Sequence, residues 1–183
     1  MDRTLQILDI AERKMRLAGY NAVSYRDIAA EIGINSASLH YYFPKKEDLG
    51  VALVQRYSNN FNARLADLTI DEPNPQKMIT IFIGIYRYAL EEQCLVCLCA
   101  ILGAEAPGLP RAITAEVKNF FTENITWLTT QYRALGFTVP IDHAKTTLAL
   151  LEGAMIISSV NDDITIFNAA ATSIKEKLSL AKL

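Results

Sequence analysis

Apolar positions recur along this chain at spacings of three and four, the period of an α-helix, and no stretch alternates in the manner of a strand. Leu5, Leu8, Ala11, Met15 and Ala18 predict a first helix over 3–17 with one buried stripe, ended by Gly19 in a left-handed cap. Ser24, with Asp27 three residues on, forms a variant capping box. The helix it opens, 25–32, turns Ile28, Ala29 and Ile32 inward, and Gly33 permits a tight turn. Asn35 or Ser36 caps a short helix over 37–42, which Pro44 breaks. Glu47 and Asp48 suit the first turn of a long helix over 46–68. Five more helices are predicted over 75–90, 94–104, 111–135, 141–159 and 162–182. Their boundaries are a linker at 71–75, breaks at 107–110 and 136–140, and a junction at Asn161. The fold class is all-α, with about nine helices.

The stretch 24–49 changes this picture most. A short helix, a glycine turn, a second short helix and the start of a third is the layout of a helix-turn-helix. The second helix of that motif is shaped to lie in the major groove of DNA. Its outward positions carry Ser36, Ala37, Ser38, His40 and Tyr41, small or hydrogen-bonding side chains that can approach base edges. Tyr41, Tyr42, Lys45 and Lys46 offer donors to phosphates, Ser24, Tyr25 and Arg26 open the preceding helix toward the other backbone strand, and Asn35 completes the set. Leu39 and Phe43 read as core.

Composition narrows the classes. Apolar residues make up 51% of the 183-residue chain, enough for a core and against disorder. The formal net charge is −2, which argues against binding nucleic acid through bulk charge. Residues 1–56 hold 8 Lys and Arg against 7 Asp and Glu, and residues 57–183 hold 10 against 13. DNA affinity must therefore come from a local patch presented twice, on a dimer. No signal peptide is evident and the longest apolar run, 94–104, is too short to span a membrane, so no membrane partner is expected. Three cysteines inside six residues suit a reducing cytoplasm rather than a disulfide scaffold.

Residues 3–50 resemble the TetR family of bacterial transcription regulators. The resemblance rests on Ala18-Gly19-Tyr20, on Ser24 with Asp27-Ile28-Ala29, on Gly33-Ile34 followed by Leu39 and Tyr42-Phe43, and on Lys46-Glu47 with Leu49. Two departures are His40, where the family usually has Tyr, and Lys45, where Ser or Asn usually precedes the Lys; both keep polar or positive character. Cys97-Leu98, Leu102, Ala104 and Glu105 resemble a segment from one branch of the family, some of whose members respond to electrophiles or oxidants through a cysteine. The resemblance implies a DNA-binding domain at 1–50 and an effector-binding and dimerisation domain at 51–183. It implies double-stranded operator DNA, a small-molecule or electrophile effector and a second copy of the chain as partners, with no cofactor and no metal.

The sensing chemistry is read with less direction. Tyr86, Glu105, Phe121 and Asn124 are candidate pocket residues in an aromatic-rich segment, with Arg87 as a further polar anchor. Cys97 is the candidate reactive thiol, set against the reading that Cys94, Cys97 and Cys99 are small buried hydrophobes. A zinc site has one Cys-x-x-Cys pair and no nearby histidine to draw on. Ala144, Leu148, Leu151, Met155 and Ser158 share a face expected to meet a partner subunit, and the resemblance assigns the last two helices to that interface. An enzyme is the alternative class, with a turnover thiol at Cys97, but no catalytic triad, phosphate loop or paired-carboxylate helix stands in the sequence. A DNA-binding protein with no effector is the remaining alternative.

Overall fold

A computed structural model describes residues 2–180. It contains nine α-helices and, among the described residues, no strand: α1 (Arg3–Ala18), α2 (Tyr25–Ile32), α3 (Ser36–Tyr42), α4 (Lys46–Thr69), α5 (Pro75–Glu91), α6 (Leu98–Ala104), α7 (Arg111–Ala134), α8 (Pro140–Asn161) and α9 (Ile164–Leu180). A 3-10 turn, Ala106–Gly108, follows α6. By their contacts the described residues fall into two compact units, the first made of 2–60 and 98–120, the second of 61–97 and 121–180. The helices α4 and α7 contribute residues to both.

The helix ends follow local chemistry. Asp2 caps α1 by accepting the Thr4 N–H, Ser24 caps α2 by accepting that of Asp27, and Asn35 caps α3 by accepting that of Ala37. The Ser24 hydroxyl also donates to the Asp27 carboxylate at 2.6 Å, so the capping box closes side chain to side chain. Gly33 ends α2 at φ +70, in the left-handed conformation that the turn requires.

The first unit buries Ile7, Leu8, Ala11 and Met15 of α1 against Ile28, Ala29, Leu39, Leu49 and Leu53. Ile7 rather than Leu5 belongs to the stripe, because Leu5 is 49% exposed, and Ala18 is exposed too. Arg56 of α4 forks onto Asp9 at 2.7 Å and Glu12 at 2.9 Å, fixing α4 to α1.

The second unit is a bundle of α5, α8 and α9 with the adjoining parts of α4 and α7. Phe61, Phe82, Tyr86 and Trp127 form its aromatic cluster, with Phe82 and Trp127 stacked at 5.5 Å.

Two predicted boundaries move. The 94–104 helix begins only at Leu98, because Cys94 adopts φ +53 and residues 94–97 carry no helix. Cys94 and Cys97 therefore stand outside the helix, and Cys99 is on it. Asp162 ends α8 at φ +50 instead of opening α9, whose first turn is capped by Asp163 accepting the Thr165 N–H at 2.8 Å. Residues 181–182 of the predicted last helix lie outside the described residues.

Candidate nucleic-acid interface and sensing residues

The helix α3 is only seven residues long, and its apolar content is concentrated in Leu39, which is fully buried. Everything else on it faces outward: Ser36, Ala37, Ser38, His40 and Tyr41 are exposed, Tyr41 at 87%. A helix this short has little stability of its own, so its orientation depends on anchors. One is Leu39 with Phe43 in the core. A second is Tyr25, whose hydroxyl donates to the Phe43 carbonyl at 2.7 Å. Burial, then the charge of Asp48 and the neighbouring Tyr20, push this phenol up to about 12, so it remains a donor at all physiological pH. A third is His40, whose Nδ1 lies 3.1 Å from the Pro44 carbonyl and whose ring packs 4.8 Å from that of Tyr25.

The candidate contact residues thus divide by what already holds them. Ser24 and Asn35 spend their side-chain oxygens as caps, and Tyr25 and His40 brace α3. Ser36, Ala37, Ser38, Arg26, Tyr42 and Lys45 are exposed on the same head, with Tyr42 edge-on to Tyr41 at 5.4 Å. Lys46 is only half-exposed. Its ammonium stands 4.4 Å over the ring of Tyr20, burial lowers its pKa, and the Glu105 charge works against that lowering.

Glu105 is where sequence reasoning pointed elsewhere. Its carboxylate accepts the backbone N–H of Tyr20 at 2.9 Å, across 85 positions of sequence. That approach requires a bare Cα at Gly19, because a Cβ there would occupy the space of the carboxylate, and Gly19 also sits at φ +80. Gly50 is similarly close to Ile113 and Tyr20. The spacing of the Ala18-Gly19-Tyr20 motif was the only signal of this contact, and it gave no hint of the partner.

In the second unit, Tyr86 is 3% exposed and donates its hydroxyl to Glu152 of α8 at 3.1 Å. Asn124 is buried and Phe121 half-buried. Cys97 and Cys99 are buried and Cys94 is exposed. Arg87 pairs with Glu91 at 3.5 Å on the surface. Glu152 was not singled out in the sequence, where it reads as one acid in an otherwise apolar α8. Its carboxyl is pushed well above the ordinary range, first by burial and then by Cys97 beside it, against the hydrogen bond from Tyr86. A separate depression of about 400 Å³ is lined by Leu90, Glu91, Cys94, Ser158, Ser159, Asp162, Asp163 and Ile164, a set containing none of the predicted effector anchors. No group of three or more potential metal ligands occurs among the described residues, and no described helix is long and apolar enough to cross a membrane.

A braced short helix with a bare, small-residue outer face, mounted on a glycine turn, defines a helix-turn-helix DNA-binding transcription regulator. The family profile described as bacterial regulatory proteins, tetR family, matches residues 7–53. A transcriptional regulator of the TetR family from Agrobacterium tumefaciens is 30% identical, superimposes with a TM-score of 0.90, and shares 95% of this chain and 96% of its own. A TetR regulator from Legionella pneumophila is 29% identical with a TM-score of 0.92 over 97% of each chain. The reduced form of NemR from E. coli shares the fold at 20% identity and a TM-score of 0.82, over 96% of each chain. No curated protein sequence matches. The chain belongs to the TetR family of transcriptional regulators.

Proposed function

We propose that the protein is a homodimeric cytoplasmic repressor that binds a palindromic operator through α3 and is released from it by an effector acting on residues 51–183. The observation that carries this reading is the exposed face of α3, where Ser36, Ala37, Ser38 and Tyr41 stand outward while Leu39 and Phe43 lock the helix from beneath. In this reading Ser38 and His40 reach base edges and Ala37 meets a thymine methyl, while Lys45, Lys46, Arg26, Tyr41 and Tyr42 hold phosphates. Residues 1–50 read and residues 51–183 sense and pair.

The dimer reading takes its support from the exposed side of α8. Ala144, Leu148, Leu151, Met155 and Ser158 are buried within the chain itself, so that face is already occupied. The outer side of α8 still carries Leu150, Ile156, Ile157 and Val160, from 38% to 81% exposed, at helical spacing. An apolar stripe of that kind is suited to a second copy of the same helix.

The effector arm has two forms: a small molecule held near Tyr86, Phe121 and Asn124, or an electrophile or oxidant meeting Cys97. The second is favoured by the Cys97–Glu152–Tyr86 cluster. Coupling to the head then runs along α6, which starts immediately after Cys97 and is followed directly by Glu105 on the Tyr20 N–H. Effector and operator must weaken each other's binding by the same factor. The test is anisotropy of a selected operator fragment titrated with protein, with and without an α,β-unsaturated carbonyl compound. Release from native protein and its absence in Cys97→Ser support the electrophile arm; release in both moves the effector site away from Cys97.

A further inference from the structure

We propose that the crevice where the end of α7 meets α8 and α9 binds a small oxyanion, a carboxylate or phosphate group, between the His143 imidazole and the Lys177 ammonium above a floor of buried hydroxyls. The site lies wholly within the second unit and shares no residue with the effector candidates or the DNA-binding head.

Tyr132, near the end of α7, and Thr147 of α8 form the floor. They are 1% and 4% exposed, and their hydroxyls lie 2.6 Å apart. Two hydroxyls bring two protons, and the bond between them uses one. Among the described residues neither side chain makes a second hydrogen bond, so one proton at the base of the crevice has no acceptor. A buried donor left in that way is costly, and the acceptor has to come from the crevice itself.

The walls are basic. His143 of α8 and Lys177 of α9 line the same crevice, Ser173 adds a hydroxyl one turn before Lys177, and the lining contains no carboxylate. No described ion pair includes His143 or Lys177. The imidazole is held in place, its ring 4.5 Å from that of Phe137 and 5.5 Å from that of Tyr132. The titratable groups facing it are Tyr132 from α7, Asp142 from the start of α8 and Lys177 from α9. Burial and then the Lys177 charge hold its pKa below the ordinary value, against the pull of the exposed Asp142. A fixed imidazole, an ammonium and an unused hydroxyl proton around one space are answered together by an oxyanion.

Size narrows the ligand. The crevice measures about 80 Å³. That is room for several waters, and so for a carboxylate or phosphate group, but far below the ~300 Å³ at which sites for drug-sized ligands begin. It therefore takes the charged head and leaves the rest of the molecule outside. Leu150 on its rim also belongs to the exposed stripe of α8, so the occupant lies beside the face proposed above for a second copy. An anion favours the imidazolium, so the complex holds more protons than the free protein and affinity rises as pH falls through the raised His143 value.

The test is proton NMR of the His143 ring in the full-length protein, its signal assigned by loss in His143→Gln. The ring is titrated across neutral pH at constant ionic strength in chloride, in acetate and in inorganic phosphate. Acetate or phosphate is expected to move the His143 midpoint up by at least about half a pH unit relative to chloride. A response to one of the two identifies the preferred head group, and a response to both assigns a general oxyanion site. A midpoint that neither moves overturns the proposal. Lys177→Met should raise the midpoint in chloride, by removing the repulsion, and abolish the anion response. A response of native size in that variant overturns the proposal, because the anion would then act from elsewhere. Thr147→Val removes a floor hydroxyl and keeps the branched shape. It should weaken anion binding by about tenfold, and an unchanged affinity likewise contradicts the site.

Discussion

At the residue scale, a reading helix has to be rigid underneath and bare on top. Tyr25 shows how this chain achieves the first. Its phenol is half-buried, and its hydroxyl is committed to the Phe43 carbonyl. Tyr25→Phe should cost about 1 kcal/mol of stability in urea melts and leave the selected operator sequence unchanged; an altered sequence preference would make Tyr25 a reader instead of a brace. Lys46 shows the second requirement at its limit. It is half-exposed, stands over Tyr20 and faces Glu105, yet belongs to the set expected on phosphates. Lys46→Ala should weaken binding to all sequences alike and flatten the dependence of log K on log salt by about one ion. An unchanged salt slope would leave Lys46 as part of the junction alone. These residues were legible in the sequence to different degrees. The caps Ser24 and Asn35 and the core pair Leu39 and Phe43 follow from local periodicity and turn chemistry, which adjacent positions carry. The bracing roles of Tyr25 and His40 depend on where Phe43 and Pro44 carbonyls point, which no spacing encodes.

At the element scale, the α1–α2 junction is held by a residue more than eighty positions away. Glu105 grips the Tyr20 N–H only because Gly19 has no side chain. Gly19→Ala should therefore destabilise the first unit by about 1–3 kcal/mol, from strain at positive φ and displacement of the carboxylate. Thermal melts that match the native protein would show that the junction tolerates a Cβ. Glu105→Gln keeps an acceptor for Tyr20 and removes the charge beside Lys46, so stability should hold while the salt slope steepens. Long-range pairs of this kind were invisible in the sequence, where Glu105 stood as a pocket candidate and as the end of the segment that begins at Cys97. The start of α6 was misread for a related reason. Cys94 to Ala104 is apolar throughout, and an unbroken apolar run does not reveal that its first four residues leave the helix.

At the scale of the whole molecule, the order and type of the helices followed from the 3.6-residue period, whereas the side of α8 that stays exposed did not. The periodic face drawn from Ala144 to Ser158 is filled by the chain's own core, and the exposed stripe lies beside it at Leu150, Ile156, Ile157 and Val160. Val160→Glu together with Ile157→Glu should yield a folded monomer in sedimentation and reduce operator affinity by at least about a hundredfold, since one head alone makes half the phosphate contacts. A dimer that survives both changes would place the interface elsewhere. Stability should also depend on pH through Glu152. Its carboxyl holds its proton more tightly folded than unfolded, so the folded state binds more protons above the ordinary carboxylate range. Stability is then full below that range and falls as pH rises through the raised value. Urea melts at pH 5 and pH 8 should show this fall in the native protein and not in Glu152→Gln.

The central claim is that a pair of α3 helices reads DNA. It is tested most directly by selecting bound duplexes from a randomised pool with the full-length protein at moderate salt. The expected product is an inverted repeat whose half-site centres lie about one helical turn, or about 34 Å, apart, with Ser38→Ala shifting the preferred bases within each half-site. A pool that shows no enriched motif, or an identical motif from Ser38→Ala and His40→Ala alike, would contradict the account.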